Sequence, residues 1–362
     1  MPLTQVSPGL LDSNAQYYGF KNRIINGAMV IDQRNNGASV TANNAAGQVY
    51  TLDRWCARSV TPSTSGAFTI QQSSVVPTGF NSSLLATVSV AATPASTDQF
   101  FIQQRIEGFN IADLGLGTAA PSTFTLSFWV RSSVTGSFGG NVGNNVNLAY
   151  PFSFTINAAN TWEQKTVTIV GPTTGTWNTT NGTGLIVHFS LGAGASNLGT
   201  ANTWANYPVA PTGSVNLIST SGATFYITGV QLEAGSVATP FERRDYGREL
   251  MMAQRYCYVS FPQSNYSPHA YGQCINTTAT RLGFQPVVTM RAAPTSLTYS
   301  GTLAVVNASD GVVAITSLAI IDQGINMMTL NAVVASGLVA GNATRLLNNN
   351  DGNGKIIISA EL

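Results

Sequence analysis

The chain has 362 residues, 44% of them hydrophobic and only 9% charged, against about 25% charged in an average soluble domain. That is apolar material for about two domain cores, which excludes a disordered chain. A net charge of +1 gives no basic footprint for nucleic acid, and no apolar run approaches the ~20 residues that cross a bilayer as a helix.

In chain order, residues 1–24 lack periodicity and carry Pro, Ser, Asn and the adjacent Tyr17 and Tyr18. They read as an extended arm, either a loosely ordered terminus or a tail docked on a partner protein. Their start has no basic stretch followed by an apolar run, so no secretory signal is expected. From about Phe68 onward the hydrophobic period is two. Phe124, Leu126, Phe128 and Val130 alternate with Thr125, Ser127, Trp129 and Arg131, which sends the first set to a core and the second to the opposite face. Val167 and Ile169, then Leu185, Val187, Phe189 and Leu191, and finally Phe225 and Ile227 repeat the pattern. Turn clusters rich in Gly, Asn and Pro separate them, so residues 25–241 are expected to form an antiparallel β-sandwich. Trp55 is expected in its core and Trp162 at the core's edge.

Residues 242–258 are the exception in a charge-poor chain, since six of the eight positions from Glu242 to Glu249 are charged. Tyr246, Leu250, Ala253 and Cys257 follow a helical spacing with Asp245 available as N-cap, which predicts a short connector helix. Glu242, Arg243, Arg244, Asp245, Arg248 and Glu249 are accordingly expected to form ion pairs across a domain or subunit boundary. Residues 259–362 hold short, turn-bounded apolar segments at Phe284–Val288, Leu303–Val306, Val312–Ile315 and Met327–Val334, which predict a second, smaller β module.

Candidates for chemistry are few. Cys56, Cys257 and Cys274 are widely spaced and give neither a disulfide framework nor a zinc pattern. Gly115, Gly117 and Ala120 match a GxGxxA pattern, but Pro121 follows and no helix pattern begins, so no dinucleotide cofactor is expected. His188 and His269 lie in different predicted modules without metal-ligand spacing. A glycosidase would need two carboxyls at ~5–9.5 Å. Glu107, Glu163 and Glu233 are available, but nothing brings two together and each is explained more simply by an arginine partner, so the chain is read as a non-enzyme.

Sugar binding asks for an aromatic face flanked by planar polar groups. The alternation places Trp129 and Arg131 on one strand, His188 on a second and Tyr226 on a third, all opposite the core. Gln103, Arg105 and Glu107 alternate with Ile102, Gln104 and Ile106 and join them if those strands are neighbours. The competing reading is that Trp129 and Tyr226 are half-buried against loops or another subunit. Trp177 and Trp204, in Gly/Asn/Thr-rich loops, are alternative stacking platforms.

Six motifs occur in order: NRIINGAMVIDQRNNG from Asn22, YTLDRW from Tyr50, FIQQRIEG from Phe101, TLSFWVRS from Thr125, NTWEQKTVTI from Asn160, and ITGVQLEAGSVATPFERR from Ile227. Over residues 22–258 the chain resembles bacteriophage and prophage virion proteins of the tail-fibre or minor structural type, whose central domain is a jelly-roll like carbohydrate-binding modules. The resemblance implies an all-β jelly-roll, a virion location, a homotrimer and attachment to other virion proteins through the arm. It implies a tail fibre or receptor-binding protein contacting a host surface glycan, or alternatively a capsid decoration or head-fibre protein. It also raises a structural calcium near Asp53 and Glu233. The simpler expectation is that these carboxylates accept hydrogen bonds or pair with Arg54 or Arg23.

Overall fold

The computed structural model describes residues 20–60, 65–262, 264–294, 296–307 and 309–362. The chain divides into two compact units, the first ending at Tyr246 and the second spanning Gly247–Glu361.

The strands of the first unit are β1 (Val40–Ala42), β2 (Gln48–Tyr50), β3 (Cys56–Val60), β4 (Ala67–Ser73), β5 (Ser83–Val90), β6 (Gln99–Glu107), β7 (Phe124–Ser132), β8 (Gly136–Gly143), β9 (Leu148–Ile156), β10 (Glu163–Ile169), β11 (Thr183–Ala193), β12 (Leu198–Gly199), β13 (Ala205–Asn206), β14 (Ala210–Pro211) and β15 (Thr224–Ala234). They build a jelly-roll β-sandwich. One sheet runs β1-β4-β5-β15-β7-β10 and the other β13-β9-β8-β11-β6-β3-β2, and the pairs within both are antiparallel.

The predicted alternation sets the core. Phe124, Leu126, Phe128, Val130, Leu185, Val187, Phe189, Phe225 and Ile227 are all fully buried, as is Trp55. Aromatic rings join the two sheets: Phe128 of β7 lies 5.0 Å from Phe189 of β11 and 5.1 Å from Phe154 of β9, both near edge-to-face. In β15 a strict alternation would turn Val230 outward and Gln231 into the core. A bulge between Thr228 and Gln231, carrying Gly229 at φ 60°, adds one residue and restores the parity. Val230 and Leu232 thus fill the core, and Gln231 and Glu233 face out.

The sandwich begins earlier than the sequence suggests. Most of the expected arm, residues 1–19, lies outside the described residues. Asn22, Arg23 and Ile24, however, are buried parts of the first unit. The Arg23 amide donates to Leu232 O at 2.8 Å, and Asn22 Oδ1 accepts from Leu232 N at 3.0 Å. An extended segment can join a strand by backbone hydrogen bonds without any hydrophobic alternation, so periodicity did not mark it.

After the sandwich comes helix α1 (Tyr246–Gln254), then β16 (Cys257–Ser260), β17 (Pro268–Cys274), β18 (Thr280–Phe284), β19 (Ser296–Ser300), β20 (Leu303–Val306), β21 (Val312–Asp322), β22 (Met328–Val334), β23 (Ala343–Asn348) and β24 (Lys355–Ser359). The connector helix is present, but its buried positions are Glu249 and Ala253, whereas Tyr246 is 61% exposed and Cys257 belongs to β16. The expected apolar stripe is therefore rotated. The second β module is a closed barrel, β17-β18-β22-β21-β20-β23, beside a small sheet β16-β24-β19. Leu282, Leu330 and Leu346 are fully buried within its core. The strand expected at Phe284–Val288 instead ends at Phe284, as Pro286 would remove a ladder donor.

Candidate functional site

The outward residues singled out in the sequence do not form one patch. Trp129 and Arg131 of β7 pair directly with Thr228 and Tyr226 of β15 on the outer face of one sheet. Gln103 and Arg105 of β6 pair with His188 and Ile186 of β11 on the outer face of the other. All are outward, as alternation requires, but two-residue periodicity carries no information on which sheet a strand joins.

On the first face, Arg131 stacks over the Tyr226 ring at 4.9 Å and donates through Nε to Asn160 O at 2.8 Å. Trp162 meets the Tyr226 ring near edge-on at 6.1 Å, so it lies on this outer face and not at the core's edge. Tyr226 is left only 9% exposed. Trp129 packs beside Gly229, next to Phe80. These rings are engaged by their own neighbours, which is the half-buried alternative.

On the second face, the segment Tyr207–Val209 lies over His188. The histidine Nε2 donates to Gln103 Oε1 at 2.5 Å, an acceptor that fixes the tautomer. Nδ1 is then left to accept from Asn141 Nδ2 at 3.1 Å, and that amide is held in place by its 2.8 Å bond to Pro208 O. Burial, with the Arg105 guanidinium adding to it, pushes His188 down to about 3. Phe101 closes over the imidazole at 4.6 Å and Tyr207 at 6.1 Å. His188 is thus a neutral, buried hydrogen-bonding group with no open face.

Trp177 and Trp204 are brought together, with centroids 5.8 Å apart and planes perpendicular, and Tyr150 adds a third ring 5.3 Å from Trp204. Beside them lies a cleft of about 290 Å³ lined by Tyr150, Val170, Gly171, Pro172, Thr173, Thr174, Asn202 and Trp204. Each indole N–H is tied back to the protein, Trp177 Nε1 to Thr174 O at 3.1 Å and Trp204 Nε1 to Val170 O at 2.9 Å. The rings are therefore held in fixed orientations while partly exposed. The loop under Trp177 depends on Gly117, at φ 80°, whose added Cβ would sit 2.7 Å from Gly175 O and 2.8 Å from Trp177 Cδ1. Burial raises the Tyr150 phenol above its ordinary value, so no charged group lines the cleft near neutral pH. Tyr150 escaped the sequence reading because it shares the inward parity of Phe152 and Phe154. Its place at the strand's turn-proximal end, after NVGNN, is the signal that could have marked it as a rim residue.

The carboxylates are committed to structural bonds. Asp53 is fully buried, accepts from Gln33 N and Gln33 Nε2, and pairs with Arg34 Nη1 at 3.5 Å. Glu233 accepts from Gln231 Nε2, Thr239 N and Thr239 Oγ1 at 2.6–2.9 Å. Calcium takes six to eight oxygen ligands, whereas these carboxylates are surrounded by donors, so the residues do not fit the ion. Glu163 is held by Lys165 Nζ and the amides of Asn157 and Ala158. Burial alone would raise its pKa, but these partners prevail and bring it down to about 2.

In the charge cluster, Arg244 donates to Asn22 O and Ile24 O and pairs with Glu242 at 3.1 Å. Glu242 in turn accepts from the Asn22 amide at 2.6 Å. Arg243 donates to Gly79 O at 2.6 Å and stacks over Phe80 at 4.9 Å. These bonds of the three residues lie inside the first unit, where Glu242 and Arg244 bind the described start of the unit to its end and Arg243 reaches the Gly79–Phe80 turn. Asp245 and Arg248 lie exposed and Glu249 is buried.

No family model matches the chain, and no curated protein does. Among solved structures, the enzymatically active domain of tailspike protein 4 from bacteriophage CBA120 aligns over 59% of this chain and 21% of its own, at 14% identity and a TM-score of 0.31. This chain therefore spans about a fifth of that solved tailspike domain. A family 11 carbohydrate-binding module from Clostridium thermocellum, solved with a β-1,3-1,4-mixed-linked tetrasaccharide, aligns over 53% of this chain and 97% of its own, at 9% identity and a TM-score of 0.29. The module TmCBM61, in complex with β-1,4-galactotriose, aligns over 59% of this chain and 99% of its own, at 9% identity and a TM-score of 0.27. Likenesses of this strength transfer no residue roles, and the sandwich is established by its own strand order.

Proposed function

We propose that the chain is a non-enzymatic structural protein of a phage particle, a tail fibre or receptor-binding protein, whose sandwich holds a neutral host-surface glycan in the cleft at Trp204. The observation that carries the binding reading is a pair of pre-oriented rings, Trp204 and Tyr150, lining an uncharged hollow, with Trp177 packed perpendicular against Trp204 behind them. Ring faces suit the C–H surface of a pyranose, and Asn202, Thr173 and Thr174 offer neutral hydrogen-bonding groups to its hydroxyls. Rigid placement of the rings lowers the ordering cost of binding. The particle assignment rests on the six ordered sequence motifs.

A neutral-glycan array probed with the whole chain tests the site: binding that disappears in Trp204→Ala supports it, and wild-type binding in that variant refutes it. Labelled antibody on intact particles tests the location. Label on the tail supports the proposed role, and label on the head replaces it with capsid decoration.

A further inference from the structure

The barrel carries an open polar face whose charge differs from that of the cleft at Trp204. Within β17 and β18, Ala270, Cys274, Leu282 and Phe284 point into the core, so Tyr271, Gln273, Arg281 and Gly283 point out. The register sets Tyr271 opposite Gly283 on one side and Arg345 on the other, and sets Gln273 opposite Arg281. Tyr271 is 62% exposed, a large ring on an open sheet face. Its cross-strand neighbour Gly283 has no side chain, and a Cβ there would meet Met327 Cε at 3.0 Å and Tyr271 O at 3.8 Å.

The consequence is a trough. A hollow of about 570 Å³ is lined by Gly272, Gln273, Arg281, Gly283, Met327 and Thr329 among others. A second, of about 220 Å³, lies between Tyr271, Arg345 and Asp310. The Arg281 guanidinium is steadied by Nη1 bonds to Asn331 Oδ1 at 2.7 Å and Thr280 O at 3.3 Å. Arg345 is 3.9 Å from Asp310. Two guanidiniums against one carboxylate leave the trough with a single net positive charge, unlike the uncharged cleft of the sandwich.

We propose that this trough binds a carboxylated monosaccharide unit of an acidic glycan. Its ring rests on the Tyr271 phenol, its carboxylate is taken by Arg281, and its hydroxyls meet Gln273 and Thr329. Tyr271 and Arg281 are diagonal neighbours, roughly 7–8 Å apart at Cα in such a pair, so one sugar reaches both. A planar guanidinium suits a planar carboxylate by two parallel hydrogen bonds, and Asp310 disfavours a dianion such as a phosphate ester.

The test uses the whole chain on an array of uronate- and sialate-bearing oligosaccharides beside their carboxyl-reduced counterparts, with affinities measured by titration calorimetry. Binding of acidic members is expected, with loss on carboxyl reduction and weakening in high salt. Arg281→Gln should weaken binding at least tenfold, the scale of one charge-assisted hydrogen bond. Tyr271→Ala and the trough-filling Gly283→Leu should abolish it, while Trp204→Ala leaves it unchanged. That last variant separates this site from the neutral cleft. Absence of any acidic ligand, equal binding of reduced and acidic forms, or wild-type affinity in both Tyr271→Ala and Arg281→Gln would overturn the proposal.

Discussion

Acidification should destabilise the sandwich through one residue. His188 titrates at 6.5 in an unfolded chain but at about 3 when folded, because its site is buried and Arg105 adds to the effect. Below pH 6.5 the unfolded chain takes up a proton that the folded chain refuses, so stability falls from there down to about pH 3. Linkage between these two values gives a loss of about 2 kcal/mol on going from pH 8 to pH 5. The carboxylates add little in this window, since their ordinary range lies lower and Glu163 is held at about 2. His269, the other of the two histidines, belongs to the second unit. All five tryptophans precede Tyr246, so tryptophan fluorescence reports the first unit alone. With a urea slope of roughly 2–3 kcal/mol per molar, the fluorescence midpoint should drop by about 0.7–1 M at pH 5. His188→Gln should lower stability at pH 8 but flatten this pH dependence. Equal midpoint shifts in wild type and His188→Gln would refute the reasoning.

Three other outcomes are expected. Trp204→Ala should weaken neutral-glycan binding roughly tenfold or more, while Trp129→Ala, whose ring packs beside Gly229, should leave it unchanged; calorimetry on both variants checks the contrast. Gly117→Ala should disturb the Trp177 loop and weaken the same binding with only a small change in urea midpoint, since the clash lies at Gly175 and Trp177 and not in the core. Arg244→Ala, removing a guanidinium whose side chain is 3% exposed, should cost about 3 kcal/mol by the fluorescence midpoint. Its sedimentation mass should stay that of the wild type, because its partners Asn22, Ile24 and Glu242 are in the same unit.

The two-layer architecture was legible because Phe124–Val130 and Leu185–Leu191 alternate without interruption, and alternation dictates which side chains enter a core. Sheet membership was not legible: β7 and β11 look alike in sequence yet belong to opposite layers, which split the expected patch into Trp129 with Tyr226 and Gln103 with His188. Trp177 and Trp204 were recognisable as loop aromatics, but their meeting depends on the fold bringing two distant loops to one rim. The charge cluster was visible as an anomaly. Its use was not, since the groups Arg244 binds are backbone carbonyls, which carry no mark in a sequence. The barrel's closure was equally hidden, because it depends on the pairing of β17 with β23, two strands far apart in the chain.

The bonds that hold Asn22–Ile24 against Leu232 and Arg244 have a mechanical consequence. Tension applied between residues 22 and 245 would load that short clasp, made of the Arg23–Leu232 and Asn22–Glu242 bonds and the Arg244 guanidinium, before it reached either sheet. None of the residues lining the cleft at Trp204 belongs to that clasp. A module wired this way yields first at the clasp, and the cleft at Trp204 is loaded only after the clasp gives.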